Sequence, residues 1–264
     1  MTARDLLDVG TRRLLDAGIE NGRREAEWIL GHVLGVSRSG LYADPEHELT
    51  DVEANRAEAL LVRRESREPL AYVLGEWGFR RLTLKTDARA LVPRPETEVV
   101  VERVLALLEG IELPRVLDIG VGTGAIALSV KHEHPDAQVT AVDVSRDALS
   151  LARENAERLG LEIELREQGV DAAAQGWDLV VSNPPYVETL DGLQPELDHE
   201  PRGALLGKGF HERIARAAQT RFLVFEVGDG QAAEVAETLE RAGYRDVRIT
   251  RDLADLERVV EGAR

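Results

Sequence analysis

The sequence predicts an α/β fold in which a doubly wound, mostly parallel sheet of seven strands follows a small N-terminal helical domain. Two observations support this prediction. After Pro114, short apolar runs alternate with helical stretches, which is the rhythm of βαβ units with helices on both faces of a sheet. Before residue 75, apolar residues instead recur at helical spacing.

Residues 1–75 are predicted to form the helical domain. Thr50 opens the capping-box pattern Thr-Asp-Val-Glu, ahead of a helix that ends near Glu65. Two earlier helices are predicted from apolar stripes, which comprise Ala3, Leu6, Leu7, Gly10, Leu14 and then Ala26, Ile29, Leu30, Val33, Leu34. Because this region carries no catalytic constellation, we interpret it as a module that docks a substrate protein.

Residues 76–92 are predicted to form a β-hairpin linker, and residues 93–264 the α/β domain. The linker contains the strand-like pieces of GEWGFRRLTLKTD. The α/β domain is predicted to begin with a helix from Pro95 to about Glu109. Proline suits the first helical turn, and Glu96 and Glu98 suit the positive end of the helix dipole.

Seven apolar runs after Pro114 are the predicted strands: RVLDIG, QVTAVDV, IELRE, WDLVVSN, RFLVFEVG, DVRIT and LERVVEG. The stretches GAIALSVKHE and RDALSLARENAERLG are predicted helices between the first three runs, and a further helix is predicted near residues 231–242. The last two runs are expected at a sheet edge. Ligands of such sheets bind at the carboxyl ends of the strands.

Composition and charge limit the class of protein. The 264 residues are 43% apolar and include no cysteine, so we expect a globular, cytoplasmic protein without disulfides or thiolate metal sites. No histidine spacing indicates a metal, and no apolar run approaches the roughly 20 residues of a membrane span. The net charge of −16 disfavours direct binding to nucleic acid. It favours a protein partner, and a partner with a basic surface would complement this negative charge.

The first βα turn contains three alternate glycines, Gly120, Gly122 and Gly124. Such a turn brings a ligand against bare main chain at the N-terminus of a helix. Asp143 ends the second strand, 23 residues after Gly120, where a carboxylate can bind ribose hydroxyls. The dinucleotide fingerprint G-x-G-x-x-A can also be read from Gly120, Gly122 and Ala125, so a nicotinamide cofactor is one alternative.

The fourth strand ends in Asn183-Pro184-Pro185-Tyr186. Proline cannot donate ladder hydrogen bonds, so the strand must stop near Ser182 and the turn must be stiff. Such a corner can activate a planar nitrogen. The Asn183 side-chain oxygen and the Pro184 carbonyl can accept its two N–H groups, and the Tyr186 ring can stack on a flat amide or base.

Asp118, the G-x-G-x-G spacing and the NPPY turn together resemble the motifs of class I methyltransferases, which favours S-adenosylmethionine over a nicotinamide. The resemblance implies that the glycine turn surrounds the methionine and ribose, through Gly120, Val121, Gly122, Thr123 and Gly124. It also implies that Asp143 binds the ribose hydroxyls, that Val170 contacts the adenine, and that Asn183 lies beside the cofactor.

A narrower resemblance runs from about Arg63 to the C-terminus. The segments PLAYVLGEWGF, ALVPRPETEVVVE, LDIGVGTGAIALS, VSNPPYV and EPRGAL occur in the order typical of the release-factor glutamine methyltransferase family, PrmC or HemK. In that family the substrate is the glutamine of a Gly-Gly-Gln loop in class 1 peptide-chain release factors. The product is N5-methylglutamine. Residues 93–264 are thus identified as a class I methyltransferase domain, and we expect a monomer.

The family resemblance also implies residue roles. The substrate amide would be surrounded by Asn183, Pro184, Pro185 and Tyr186. The catalytic residues among them would be Asn183, Pro184 and Tyr186. Residues 93–98 (PRPETE) would lie near the transfer pocket, with Phe79 forming part of its wall. The sequence departs from the family where Gly169 and Val170 replace an acidic-plus-aromatic pair.

Two other readings use the same motifs. A DNA or RNA adenine N6-methyltransferase would apply the NPPY chemistry to a flipped base. That enzyme would need a basic groove and a target-recognition domain, neither of which is visible in the sequence. An inactive cofactor-binding interaction module is the other alternative, against which the intact NPPY turn argues.

Overall fold

The computed structural model describes residues 1–187, Thr189 and residues 192–264. These residues form two compact units. One comprises Met1–Gly75 together with Gln194–His199, and the other comprises Glu76–Leu193 together with Glu200–Arg264. Residues 194–199 were expected in the α/β domain, whereas the structure assigns them to the helical unit.

The helical unit contains α1 (Ala3–Asp16), α2 (Gly22–Leu34), α3 (Arg38–Ala43), α4 (Asp51–Glu65) and α5 (Leu70–Leu74). The predicted capping box at the start of α4 is confirmed, because Thr50 and Glu53 each bond the other's backbone N–H. A second capping box joins Thr2 and Asp5 at α1. α3 and α5 were not predicted, since helices of six and five residues are too short to show apolar periodicity.

A buried ion-pair network joins the segment Gln194–His199 to the rest of the helical unit. Glu196 accepts hydrogen bonds of 2.8 Å from both Arg64 and Arg67. Arg64 also pairs with Glu25 at 2.5 Å, so its buried guanidinium is charged and doubly partnered. Paired burial of this kind is what makes a charged side chain tolerable in an interior.

The second unit begins with an antiparallel hairpin of β1 (Glu76–Phe79) and β2 (Leu82–Lys85), followed by α6 (Thr97–Leu108). Its main sheet consists of β3 (Arg115–Ile119), β4 (Gln138–Asp143), β5 (Glu164–Glu167), β6 (Trp177–Ser182), β7 (Thr220–Glu226), β8 (Arg245–Arg251) and β9 (Glu257–Ala263). The order across the sheet is β5-β4-β3-β6-β7-β9-β8.

The predicted seven-stranded, mostly parallel sheet is confirmed for the described residues. Strands β3 to β7 run parallel, and β9 is antiparallel to both β7 and β8. The expectation that both final strands lie at an edge is half right, because β8 forms the edge and β9 is enclosed between its neighbours. Val259 and Val260 of β9 are buried on opposite faces, as an interior strand requires.

The remaining helices of this unit are α7 (Ala125–Glu133), α8 (Arg146–Leu159), α9 (Arg202–Leu205), α10 (Phe210–Ala217) and α11 (Ala232–Arg241), and helices cover both faces of the sheet. Two apolar clusters fill the faces, one including α6 and α7 and the other including α10 and α11. α9 and α10 were not predicted. None of the helices over the described residues combines the length and the apolar character needed to cross a bilayer.

The strand order reverses direction beside β3, since β4 and β5 lie on one side of it and β6 and β7 on the other. Crossover loops therefore leave the carboxyl ends of β3 and β6 in opposite directions. A cleft opens at such a switch point, and ligands of doubly wound sheets bind there.

Candidate active site

A cavity of about 420 Å³ lies at the carboxyl ends of β3, β4 and β6. Its wall is formed by the glycine turn, the ends of the neighbouring strands, and segments from three loops. The described residues of these loops fall in the ranges 89–94, 168–170 and 201–204. The volume is in the range of small-molecule and cofactor sites.

The glycine turn brings bare main chain to this cavity. Gly120 and Gly122 line it with φ angles of +86° and +53°, a region that strongly favours glycine. Val121 and Thr123 line it as well. Gly124 does not: it is the N-cap of α7, and a Cβ there would lie 2.8 Å from the Leu128 side chain. Its role is therefore close helix packing.

Asp143 lines the cavity at the end of β4 and braces the glycine turn. Its Oδ2 accepts a hydrogen bond of 3.2 Å from the Gly122 N–H, and its Oδ1 accepts one of 2.9 Å from the Ser145 N–H. A carboxylate has about four acceptor positions. Capacity therefore remains for two hydroxyl groups of a ligand.

Asp118 lies behind the turn and is fully buried. It accepts a 3.2 Å hydrogen bond from the Ala127 N–H, in the first turn of α7. Burial raises its pKa to about 8, and the nearby Asp143 adds to that rise. Asp118 is not part of the cavity wall, so its role is to secure the start of α7.

Residues that follow β4 and β5 also line the cavity. Val170 lines it, as do Gln168 and Gly169. Val144 also lines the cavity, although it was not among the predicted residues, and it is 78% exposed. Its position directly after Asp143, at a strand end facing the cleft, is the signal that could have identified it. Two valines on a cleft wall suit the faces of a planar ring.

The NPPY turn follows β6 directly. The Ser182 hydroxyl donates a 2.7 Å hydrogen bond to the Ile119 carbonyl, which joins the ends of β6 and β3. Asn183, Pro184 and Pro185 line the cavity. The Asn183 amide nitrogen donates to the Thr97 hydroxyl oxygen at 3.3 Å, and this contact leaves the Asn183 Oδ1 available as an acceptor.

Tyr186 is directed elsewhere, so the expected stacking surface for a substrate is not part of the cavity wall. Its hydroxyl donates to Glu226 Oε1 at 3.4 Å, and its backbone carbonyl accepts from the Gln231 side chain at 3.1 Å. The ring packs on Gly228, where a Cβ would lie 2.9 Å from Tyr186 Cδ2. Burial and the Glu226 charge raise the Tyr186 pKa to about 12. Tyr186 thus anchors the turn.

Backbone contacts hold the other side of the turn. The Val187 N–H donates to the Leu205 carbonyl at 3.0 Å, and the Gly207 N–H donates to the Val187 carbonyl at 3.1 Å. Gly207 is closely packed, since a Cβ at this position would lie 2.7 Å from the Pro185 carbonyl oxygen. The position of Pro185 therefore depends on the absence of a side chain at residue 207.

We expect Gly207→Ala to displace the turn. The added methyl group must push a backbone carbonyl, which costs about 1–3 kcal/mol of unfolding free energy, and it should lower turnover as well. Gly78→Ala is the matched control, because a Cβ at Gly78 would meet no described atom within 4 Å and its φ is not positive. Urea unfolding and single-turnover assays of both variants check this. Equal behaviour of the two variants would refute it.

Glu200 secures the PRPETE side of the cavity. Its side chain is 1% exposed and accepts a 3.0 Å hydrogen bond from the buried Val92 N–H. It also pairs with the Arg94 guanidinium, and both Val92 and Arg94 line the cavity. The motif EPRGAL contains this residue, but nothing in the sequence indicates which segment it contacts.

Removal of this carboxylate should destabilise the fold. Glu200→Ala leaves the Val92 N–H without its acceptor and Arg94 without its partner, so we expect a loss of about 1–3 kcal/mol in urea unfolding. Glu212→Ala removes an exposed ion pair with Arg216 and should change stability by less than about 0.5 kcal/mol. If the two losses were similar, the buried contacts of Glu200 would be energetically unimportant.

The remaining predicted residues divide between the cavity and the core. Thr97 and Pro93 line the cavity. Phe79 does not, contrary to expectation. It is 1% exposed and belongs to the main apolar cluster, because Phe79, Leu82 and Leu84 of the hairpin all turn toward that core. Phe210 and Ile214 of α10 line the cavity and were not predicted.

Comparisons with known proteins show which family this chain is similar to. Residues 5–75 match the family described as the PrmC N-terminal domain, and residues 97–199 match the methyltransferase small domain. A release factor glutamine methyltransferase of Geobacter sulfurreducens is 40% identical over 275 residues, which cover 99% of this chain and 96% of that protein. A protein of the same name from Deinococcus radiodurans is 41% identical over 279 residues, covering 100% and 99%.

The fold is also found among solved structures. A methyltransferase from Pyrococcus furiosus is similar with a TM-score of 0.50 and 18% identity, over 68% of this chain and 87% of that one. At this identity the likeness concerns the fold alone.

Proposed function

The chain belongs to the release factor glutamine methyltransferase family, and from this membership we propose its reaction and its site. The enzyme transfers a methyl group to the side-chain amide nitrogen, N5, of the glutamine in the Gly-Gly-Gln loop of class 1 peptide-chain release factors. One observation carries the assignment of the site: Asn183 and Pro184 line the same cavity as the glycine turn and Asp143.

The cavity suits S-adenosylmethionine. A Cβ at Gly120 would find no described atom nearer than 3.9 Å, so its main chain is open to a ligand. Asp143 offers acceptors for ribose hydroxyls, and Val144 and Val170 offer apolar surface to adenine. When bound, the cofactor supplies a methyl group activated by its sulfonium. We propose Gly120, Val121, Gly122, Thr123, Asp143, Val170 and Asn183 as its binding residues, with Gly124 shaping the turn.

The NPPY turn holds the substrate amide. An amide nitrogen is a poor nucleophile, because its lone pair is delocalised into the carbonyl. We propose that the Asn183 Oδ1 and the Pro184 carbonyl accept its two N–H groups and favour a more tetrahedral nitrogen, whose lone pair then faces the methyl group. As positive charge develops on nitrogen, both acceptors bind it more strongly.

Positioning is the second contribution. Pro184 and Pro185 fix the backbone of the turn, which holds the substrate amide in one orientation. Orientation effects of this kind reach about 7–11 kcal/mol in the most favourable intramolecular reactions. The substrate-binding residues in this proposal are Asn183, Pro184 and Pro185, whereas Tyr186, which was expected among them, supports binding by anchoring the turn.

We further propose that the helical domain, residues 1–75, docks the release factor, with residues 76–92 as linker and residues 93–264 as catalytic domain. The net charge of −16 favours a protein partner over direct binding to nucleic acid. The absence of cysteine is in keeping with a cytoplasmic protein. The family relationship supports the function of a release factor glutamine methyltransferase and not the adenine N6-methyltransferase alternative.

The test uses methyl-labelled S-adenosylmethionine with three acceptors: an unmodified class 1 release factor, the same factor with alanine for the loop glutamine, and duplex DNA. We expect label in the first acceptor alone. Label in DNA would support the adenine alternative, and equal label in the alanine variant would place the modification elsewhere. Cofactor binding without any transfer would indicate the inactive module.

A further inference from the structure

Both ends of the NPPY turn lead to one buried carboxyl group at the end of β7. At the first end, the Asn183 amide nitrogen lies 3.3 Å from the Thr97 hydroxyl oxygen, and the Thr97 hydroxyl is near enough to the Glu226 carboxyl to lower its pKa. At the other end, the Tyr186 hydroxyl donates to Glu226 Oε1 at 3.4 Å. Residues separated by 40 positions or more along the chain thus meet at a single carboxyl group.

Glu226 is unusual for a residue of the sheet. It is 1% exposed, and its Oε2 has no hydrogen-bond partner among the residues that the structure describes. Burial raises its pKa to about 7, an effect that the Thr97 hydroxyl, the Arg258 charge and the Tyr186 hydroxyl oppose. An incompletely paired carboxyl is costly to bury, and an apolar side chain of similar volume would be easier to accommodate. Stability alone does not account for this residue.

The chemistry of the three groups determines the direction of the hydrogen bonds. An ionised carboxylate can only accept, so a Thr97 hydroxyl that is oriented toward Glu226 uses its one proton as the donor. The Thr97 oxygen is then left as an acceptor for the Asn183 amide. Asn183 must therefore present its NH₂ group to Thr97 and its Oδ1 on the opposite side, where the cavity lies.

We propose that Glu226 is a positioning residue for methyl transfer: through Thr97 it orients the Asn183 amide with the oxygen toward the substrate, and through Tyr186 it anchors the far end of the turn. Glu226 is not part of the cavity wall, so in this proposal it acts through other side chains. The inference rests on the proposed function of the NPPY turn.

The first test removes each link. Thr97→Val deletes the hydroxyl at nearly constant volume, and Thr97→Ser keeps it. Glu226→Met removes the acceptor at similar length. We expect Thr97→Val and Glu226→Met each to lower kcat by about 10- to 100-fold, since small displacements of a reacting group have effects of this size. Thr97→Ser should retain most activity, and the Kd for S-adenosylmethionine should change by less than about threefold in all variants.

The double variant separates positioning from general damage. If Glu226 acts through Thr97, the combined variant should lose no more than the worse single variant, whereas independent effects multiply. Multiplying losses, or wild-type kcat in Glu226→Met, would overturn the proposal. If Glu226→Met does not fold, the Thr97 pair still tests the first link, and the pH profile of Glu226→Gln tests the role of Glu226. An inactive wild-type enzyme would instead refute the proposed function.

A pH profile gives a readout that a purely structural residue would not affect. Protonation lets Glu226 donate and releases the constraint on Thr97, so wild-type kcat should fall as pH decreases through about 7. Glu226→Gln cannot ionise and should lose this limb. The ionisable groups around the carboxyl are Arg258, Glu96 and Tyr186, with His211 bonded to the Glu226 backbone carbonyl. An unchanged profile in Glu226→Gln would assign the titration to one of these and overturn the role given to Glu226.

Discussion

Replacing Asn183 with alanine is expected to lower kcat for methyl transfer by about 10²–10³-fold, the loss typical of removing one preorganised group that binds developing charge. The variant lacks the side-chain oxygen that we propose accepts a substrate N–H, although Pro184 can still supply its carbonyl. The backbone of the turn should persist, because Ser182, Val187 and Gly207 hold it through contacts independent of the Asn183 side chain.

The Kd for S-adenosylmethionine should change much less in this variant, because the glycine turn and Asp143 are intact. Single-turnover kinetics with a labelled cofactor and calorimetric binding measure the two quantities separately. Gln219→Ala is the control, since Gln219 is an exposed amide just before β7, at the end of the sheet opposite Glu226. Near-normal turnover in Asn183→Ala would show that the turn has another role.

Asp143→Ala is expected to weaken cofactor binding more than it lowers kcat, the opposite of the result expected for Asn183→Ala. It removes the acceptor of two backbone N–H groups, those of Gly122 and Ser145, together with the proposed ribose contact. Hydrogen bonds to a charged group contribute about 1.5–3 kcal/mol, so the Kd for S-adenosylmethionine should rise by roughly 10- to 100-fold. At saturating cofactor, kcat should fall much less than in Asn183→Ala, because the NPPY turn is unaltered.

Isothermal titration calorimetry with S-adenosylmethionine checks this result. Asp147→Ala is the matched control, because Asp147 is an exposed carboxylate in the first turn of α8 and lies outside the cavity wall. Its Kd should stay within about twofold of the wild type, since an exposed helix-terminal charge contributes little. Wild-type affinity in Asp143→Ala would exclude Asp143 as a cofactor ligand.

Local features of the fold were predictable because their causes are local. The strands of the sheet appear in the sequence as apolar runs, and the capping box at Thr50 operates within four residues. Gly120 and Gly122 adopt positive φ angles that other residues rarely accept, so the glycines themselves predict the turn. α10 was not recognised, since its eight residues contribute few apolar side chains.

Several roles in the site were not predictable in this way. Tyr186 follows the two prolines of the turn, and the sequence alone does not determine whether its ring faces a substrate or packs on Gly228. Phe79 likewise turns into the core because of where the hairpin packs. Val144 was overlooked although its place after Asp143 was informative.

By itself, the sequence determined the class of sheet, the glycine turn, the stiff NPPY corner and, through their order, the family. These features depend on backbone preferences and side-chain periodicity over a few residues. The tertiary structure decided which distant groups support the corner. The hydrogen-bonded pairs are far apart in the sequence. The separation along the chain is 86 residues for Thr97 and Asn183, 40 residues for Tyr186 and Glu226, and 108 residues for Val92 and Glu200. Such contacts depend on strand order and crossover paths, and no local preference encodes them.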